Sequence, residues 1–467
     1  MSRIQKTISP VDGSVYVERE LASPEHIEAT LQRASDAQRM WQKTSFQERA
    51  EICETMVQYM LDNVDGIATE LSWQMGRPIQ YTPFEIEGGL QERARHMIMI
   101  AEDALRDIPA QPGDGFTRFI RRVPLGLVFV VAPWNYPYLT SVNSIVPALM
   151  AGNTVLIKHS AQTPLVAERY VEAFHAAGIP DGVVQYLHTT HGDVARIIQD
   201  QRVNFVAFTG SVPGGHAIQM AANQRFIGTG MELGGKDPAY IRADASLPHA
   251  IENVVDGAFF NSGQSCCGIE RIYVHEDVYD AFVEGAVELT KQYVLDDPLK
   301  LETTLGPMVR TSAATFAREQ ISEAVTMGAK ALIDPVHFPM NQIDSPYLAP
   351  QVLIDVNHDM RLMQEESFAP VVGIMKVKSD EEAITLMNDS AFGLTASIWT
   401  QDLDTAIQLG DQIETGTCYM NRCDYLDPEL AWTGVKDSGR GCTLSSLGYE
   451  SLTRPKSFHM RTKIDGS

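Results

Sequence analysis

Apolar side chains recur every three or four positions through SPEHIEATLQRASDAQRMWQK (residues 23–43) and SFQERAEICETMVQYMLDNVDGIATELSWQMG (residues 45–76), each stretch opening on a serine. That spacing predicts amphipathic helices with serine N-caps. From Gly126 the pattern changes to short β-branched runs: LVFVVAP, NTVLIK, VVQYL and VNFVAFTG. Helix-like segments such as TPLVAERYVEAFHAAG and GGHAIQMAANQ follow most of them. Strands alternating with helices predict parallel βαβ units with helices on both faces of a sheet. A second such set begins after ELGGKDPAYIRADA. It includes RIYVHEDVYDAFVEGAVELTKQYV, a helix near SAATFAREQISEAVTMGA, and the strands PVVGIMKV and TASIWT. GFTRFIRRVPLG (115–126) and SLTRPKSFHMRTK (451–463) alternate like edge strands and cannot bury themselves alone, so pairing with another chain is expected.

Composition narrows the class. A chain of 467 residues exceeds one ordinary core, and 44% hydrophobic with 21% charged residues is the balance of a soluble globular protein. The 37 basic and 60 acidic residues leave a net charge of -23, which argues against general nucleic-acid or anionic-membrane binding. The N-terminal MSRIQKTISPVDGSVYVERE has no apolar core of signal-peptide length, and the longest apolar run is broken by Pro124 and Pro133. A cytoplasmic protein with reduced thiols is expected.

Residues 261–271, NSGQSCCGIER, hold two of the chain's six cysteines side by side. A disulfide between neighbours strains the intervening peptide. A zinc site lacks further ligands at the usual spacing, and no metal is expected. Inert core cysteines and a nucleophile both remain open. For the latter, the Gly263–Gln264–Ser265 turn would leave Cys266 accessible beside backbone N–H groups able to meet an oxyanion. No GxGxxG follows a strand, and GTGMEL (228–233) has Leu233 in place of the third glycine. FTGSVPGG (208–215) follows a strand and opens a helix, so Gly210, Ser211 and Gly215 suit a pyrophosphate. Glu232 closes a strand before two glycines, Asn135 sits between Trp134 and Tyr136 where a strand ends, and Lys158 ends NTVLIK. As isolated residues they read equally well as a loop acid, a turn former and a surface lysine.

Taken together, PWNYP, NTVLIK, FTGS, ELGGK, NSGQSC, EESFAP, DSAFGL and GVKDSGRG occur in the order and approximate spacing of the aldehyde dehydrogenase superfamily, which the chain resembles over essentially its whole length. The resemblance implies an α/β fold in three parts. These are a Rossmann-type NAD(P)-binding domain (1–108 and 127–234), an α/β catalytic domain (235–440) and a small β oligomerisation element (109–126 and 441–467). It further implies NAD(P)-dependent oxidation of a small-molecule aldehyde through a thiohemiacetal and a thioester on Cys266. Glu232 would be the general base, and Asn135 with the Cys266 N–H would hold the oxyanion. Cys267 becomes a neighbour. Lys158 resembles the adenosine-ribose contact and Gly210 with Ser211 the pyrophosphate turn. Glu366 and Phe368 resemble the nicotinamide-ribose pair, and Trp134 belongs to the same strand end. A homodimer or homotetramer is implied. Glu232 favours water over coenzyme A as acyl acceptor, so an acylating semialdehyde dehydrogenase is the alternative enzyme, and a non-catalytic homologue that keeps the fold is the alternative of another class.

The chain departs from that pattern at two places. KHSAQTP puts His159 at the family's proline and Ala161 at its acid, which removes the carboxylate that would repel a 2′-phosphate, so both NAD and NADP are expected. YLTSVN replaces the bulky apolar residues that line the tunnel for apolar aldehydes. Tyr136, Thr140, Asn143, Ser265 and Cys267 are expected around a polar aldehyde or semialdehyde, with Arg422 and Asp424 at the mouth.

Overall fold

The computed structural model of the protein describes residues 3–464; residues 1–2 and 465–467, at the outer ends of the ranges 1–108 and 441–467, lie outside the described residues. Both serine starts are N-caps. Ser23 accepts the His26 N–H ahead of the helix Pro24–Trp41, and Ser45 accepts the Glu48 N–H ahead of Phe46–Asp62. The second stretch breaks at Asn63, whose side-chain amide donates to the Tyr59 carbonyl, and resumes as Val64–Met75. An Asn that bonds to nearby backbone competes with helix propagation.

The β-branched runs assemble a six-stranded sheet in the order Gly439–Arg440, Gly228–Glu232, Val203–Thr209, Leu127–Ala132, Thr154–His159, Val184–Tyr186. All its pairings are parallel except the one between Gly439–Arg440 and Gly228–Glu232. Leu127–Ala132 and Thr154–His159 are buried at every position, which is why they read as continuous apolar runs rather than alternating ones. The near-miss GTGMEL is strand, not phosphate loop.

A seven-stranded sheet follows, ordered Lys330–Ala331, Gln351–Ile354, Val371–Val377, Ile269–His275, Asp237–Ile241, Thr395–Trp399, Thr417–Met420, parallel apart from its short first strand. A third, three-stranded sheet pairs Thr453–Arg461 with Phe116–Pro124, which in turn pairs Ile108–Pro109. Phe119 and Phe458 stack across it at 4.6 Å, while Phe116 and Met460 stay exposed. Among the described residues no helix is long and apolar enough to cross a membrane.

In open parallel sheets ligands gather beyond the carboxyl ends of the strands. Here the ends of Leu127–Ala132, Thr154–His159, Val203–Thr209 and Gly228–Glu232 lead directly to Trp134 and Asn135, Ser160, Gly210 and Ser211, and Leu233 and Gly234.

Candidate active site

The segment before Cys266 has an uncommon backbone. Asn261, Ser262 and Gly263 take φ of 53°, 57° and 68°, three left-handed residues in a row. Only glycine fits at 263, because a Cβ there would lie 2.1 Å from the Ala369 carbonyl oxygen. Side chains hold this shape. Ser262 Oγ donates to the Gly306 carbonyl at 2.7 Å, and Gln264 accepts the Val309 N–H at 2.7 Å while donating to the Asn261 carbonyl at 3.0 Å. Asn261 Nδ2 donates to the carbonyls of Asn135 and Gln264 at 3.3 and 3.2 Å.

One buried arginine ties this loop to the neighbouring sheet. Arg77 donates through Nε to Asn261 Oδ1 at 3.2 Å and through Nη2 to the Asn135 carbonyl. It also pairs with buried Glu85 and lies 4.4 Å from the Tyr136 ring centroid. Glu85 in turn accepts the N–H groups of Tyr138 and Leu139 at 2.7 and 3.3 Å, fixing the start of the helix Pro137–Met150.

Cys266, Glu232 and Asn135 line one cavity of about 540 Å³. The Asn135 amide donates one N–H to the Gln264 carbonyl at 3.2 Å. Glu232 is gripped by two hydroxyls, Thr443 Oγ1 at 2.6 Å and Thr209 Oγ1 at 3.1 Å; burial outweighs both and raises its carboxyl above the ordinary value. Cys267 is buried, and its hydrogen bond with Cys266, followed by burial, holds its thiol well above the ordinary value. The two thiols are free and unequal.

The same cavity is lined by Trp134, Lys158, Gly210, Ser211, Glu366 and Phe368. Ser211 caps the helix Val212–Ala222 by accepting the Gly214 N–H, and leaves a glycine-lined N-terminus facing the cavity. Gly214, not Gly215, reaches the wall; Gly215 is spent on packing, since a Cβ there would meet Leu233 at 2.8 Å. Among the described residues Lys158 forms no ion pair, and burial pulls its ammonium down to about 8. Glu366 accepts the Gly235 N–H at 3.1 Å; burial and then the charge of Glu270 raise it to about 8.

Glu270 also accepts the N–H groups of Ser367 and Phe368 at 2.7 and 2.8 Å and pairs with the fully buried Lys236. That holds Phe368 at φ 49°, edge-on to Trp134 with ring centroids 5.6 Å apart.

The expected departures are partly relocated. His159 turns inward, bonds Ser141 Oγ at 3.0 Å, and is driven down to about 3 by burial. Ala161 lies off the cavity, and Ser160 stands on its wall beside Lys158. The only carboxylates among the lining residues are Glu232 and Glu366. His191 begins the helix His191–Gln199 and lines the same cavity.

Around the nucleophile, Ser265 Oγ and Cys267 Sγ both donate to Asp424 Oδ1 at 2.9 Å, so Asp424 points inward. Arg422 is exposed and stacks on Tyr425 at 3.6 Å instead. Thr140 spends its hydroxyl on the Tyr136 carbonyl at 2.7 Å. The Tyr136 hydroxyl and both amide atoms of Asn143 are buried without a partner. Sequence reading passed over Arg77, Glu85, Lys236, Glu270 and Thr443. No motif marks them: Arg77 and Glu85 lie eight residues apart but act on Asn261 and the Asn135 segment, and Lys236, Glu270 and Thr443 meet partners 34 to 211 residues away.

A family model described as the aldehyde dehydrogenase family matches residues 2–458. The chain is similar to an aldehyde dehydrogenase of Paenarthrobacter nicotinovorans, 34% identical over 96% of this chain and 98% of that protein. It is also similar to a succinate-semialdehyde dehydrogenase (NADP+) of Mycolicibacterium paratuberculosis, 32% identical over 98% of this chain and 97% of that one. Among solved structures, an NAD-dependent aldehyde dehydrogenase from Sinorhizobium meliloti superposes with a TM-score of 0.95 at 29% identity, covering 100% of this chain and 93% of that one.

Replacing Arg77 by Met strands the Glu85 carboxylate inside the protein. Breaking one side of a buried ion pair costs about 3–5 kcal/mol, so the denaturant midpoint of Arg77→Met is expected to fall accordingly. A loss below about 1 kcal/mol, the size of an exposed pair, would contradict this role.

Proposed function

Because the chain belongs to the aldehyde dehydrogenase family, we propose that it oxidises a short polar aldehyde, a semialdehyde above all, to the carboxylic acid with NAD or NADP. Cys266 serves as nucleophile, Glu232 as general base and Asn135 as oxyanion donor. The observation that carries this reading is the convergence of those three side chains on one cavity with a glycine-lined helix N-terminus.

The cavity suits the cofactor. Gly210 and Gly214 leave room at the capped helix, where N–H groups and the helix dipole favour a pyrophosphate. Glu366 and Phe368 would hold the nicotinamide ribose and ring beside Trp134. Lys158 and Ser160 would face the adenosine ribose. When bound, NAD or NADP supplies the two-electron acceptor. With no carboxylate lining the cavity beside Lys158, a 2′-phosphate meets attraction only. The name of the Mycolicibacterium relative specifies NADP and that of the Sinorhizobium structure NAD, which supports use of both.

The Cys266 thiolate adds to the aldehyde carbon, and the resulting oxyanion is met by the Asn135 amide and the Cys266 N–H. One such donor is typically worth about two to three orders of magnitude in rate. Loss of a hydride, with its electron pair, leaves an acyl thioester on Cys266. Glu232 then takes a proton from water as the water oxygen attacks the thioester; the carboxylic acid leaves and the thiolate is restored. Glu232 must be ionised for this step. Since burial raises its pKa, deacylation weakens as pH falls through a value above that of an ordinary carboxylate.

Polar side chains near the nucleophile support a polar substrate: Ser265 and Cys267 flank Cys266 and bond Asp424, and Tyr136 and Asn143 keep buried polar atoms without partners. The Mycolicibacterium relative, a succinate-semialdehyde dehydrogenase, supports a semialdehyde. The Phe116–Pro124 and Thr453–Arg461 strands leave Phe116 and Met460 exposed, which supports a homodimer or homotetramer joined through that element.

A steady-state panel tests the activity. Short polar semialdehydes are expected to exceed long-chain aliphatic aldehydes in kcat/KM, and both cofactors to support turnover. Any NADP advantage should decline as pH rises through about 8, because the Lys158 ammonium is charged below that value and loses its proton above it. A long-chain preference, or a roughly thousandfold preference for NAD, would overturn the substrate or the cofactor assignment respectively. Light scattering is expected to return the mass of two or four chains, and a monomer would contradict the assembly.

A further inference from the structure

Four arginines are buried among the described residues: Arg49, Arg77, Arg93 and Arg271. Three are well supplied with acceptors. Arg49 donates to Thr44 and to several carbonyls, Arg77 has Glu85, Asn261 and Asn135, and Arg271 donates to the Lys236, Leu386 and Met387 carbonyls. Arg93 is different. It is 5% exposed, Nη1 makes one hydrogen bond to the Leu139 carbonyl at 2.7 Å, and Nε is buried with no partner. A guanidinium taken out of water without a carboxylate is costly, so a chain with 60 acids and 37 bases has every opportunity to pair it.

Its surroundings point to what it is kept for. Leu139 and Asn143 lie one turn apart on the same face of the helix Pro137–Met150, and both amide atoms of Asn143 are buried without partners. Arg93 thus meets this helix one turn before Asn143, and each has unused hydrogen-bonding capacity. The ionisable groups that interact with Arg93 are Cys267, Glu232, Cys266 and Asp424 around the catalytic centre, Tyr170, and its chain neighbour Glu92, none of them hydrogen-bonded to it. The Asp424 carboxylate is engaged instead by Ser265 and Cys267.

We propose that Arg93, assisted by the Asn143 amide, is the specificity-determining anchor for the far carboxylate of an anionic aldehyde whose carbonyl lies at Cys266. A guanidinium presents a rigid fork that fits a carboxylate, and a substrate carboxylate would supply the partner that the folded chain withholds. The inference rests on the semialdehyde reading above and deepens it.

The test is kcat/KM for succinate semialdehyde and for pentanal, a neutral aldehyde of similar length, at saturating cofactor in wild type, Arg93→Met and Arg93→Lys. In Arg93→Met the ratio of the anionic to the neutral substrate is expected to fall by about 100-fold, mainly through KM for succinate semialdehyde. Arg93→Lys should recover part of it. An unchanged ratio in Arg93→Met, with wild type favouring the semialdehyde, overturns this anchor and leaves the semialdehyde reading standing. A wild type that favours pentanal overturns both. Should Arg93→Met fail to fold, Arg93→Lys decides: a fall in the ratio of about tenfold supports the anchor, and an unchanged ratio sinks it.

Discussion

The buried ion pair of Arg77 and Glu85 joins two pieces of chain that no sheet brings together. Asn135 stands at the end of a strand in the six-stranded sheet, whereas Cys266 stands in a loop that leads into the seven-stranded sheet. Arg77 reaches both: it donates to the Asn135 carbonyl and to the Asn261 side chain, and Glu85 holds the first turn of the helix that follows Asn135. The pair is 2% and 1% exposed, so neither charge has water to fall back on. The loop it braces carries Asn261 and Ser262 in a left-handed conformation, a strain of order 1–3 kcal/mol per residue that persists only where the surroundings over-determine it. The pair thereby ties the segment that precedes Cys266 to the strand end that carries Asn135.

Charge is sorted along the cavity with similar economy. The acids Glu232 and Glu366 lie among its lining residues with Cys266, while Lys158 stands beside Ser160 with no carboxylate for company. Burial pushes both carboxyls up and the ammonium down, bringing Glu366 and Lys158 each to about 8. Glu270 carries the same logic one layer out. Its carboxylate caps the Ser367 and Phe368 N–H groups, answers Lys236, and raises Glu366. A single buried acid thus holds Phe368 in place and adds to the effect of burial on Glu366.

Much of this was legible in the chain itself. β-branched runs beside helical periodicity identified the parallel sheets, and serines at 23 and 45 marked helix starts because capping is local. Eight short motifs in register identified the family, and with it the residues that meet at one cavity. What escaped reading was of another kind. Gly215 and Gly214 are adjacent glycines, and only the packing of Leu233 decides which faces the ligand. Ser160 was not among the expected residues, and only the strand end shows that it, with Lys158, stands on the cavity wall while Ala161 lies off it. Arg77, Glu85, Lys236 and Glu270 carry no sequence signal because they act through partners up to 184 residues away. Arg93 looks like an ordinary charge on the helix Gln91–Ala104 until its missing partner is seen.

Everything at this site depends on Cys266 carrying the acyl group while Glu232 releases it. The direct measurement is a single turnover of Glu232→Gln with succinate semialdehyde and NADP, followed by mass spectrometry of the peptide that spans the two cysteines. One equivalent of reduced cofactor, an acyl adduct on Cys266 and none on Cys267, with little steady-state turnover thereafter, is the predicted result. Rapid multiple turnover without an adduct, or an adduct on Cys267, would contradict it.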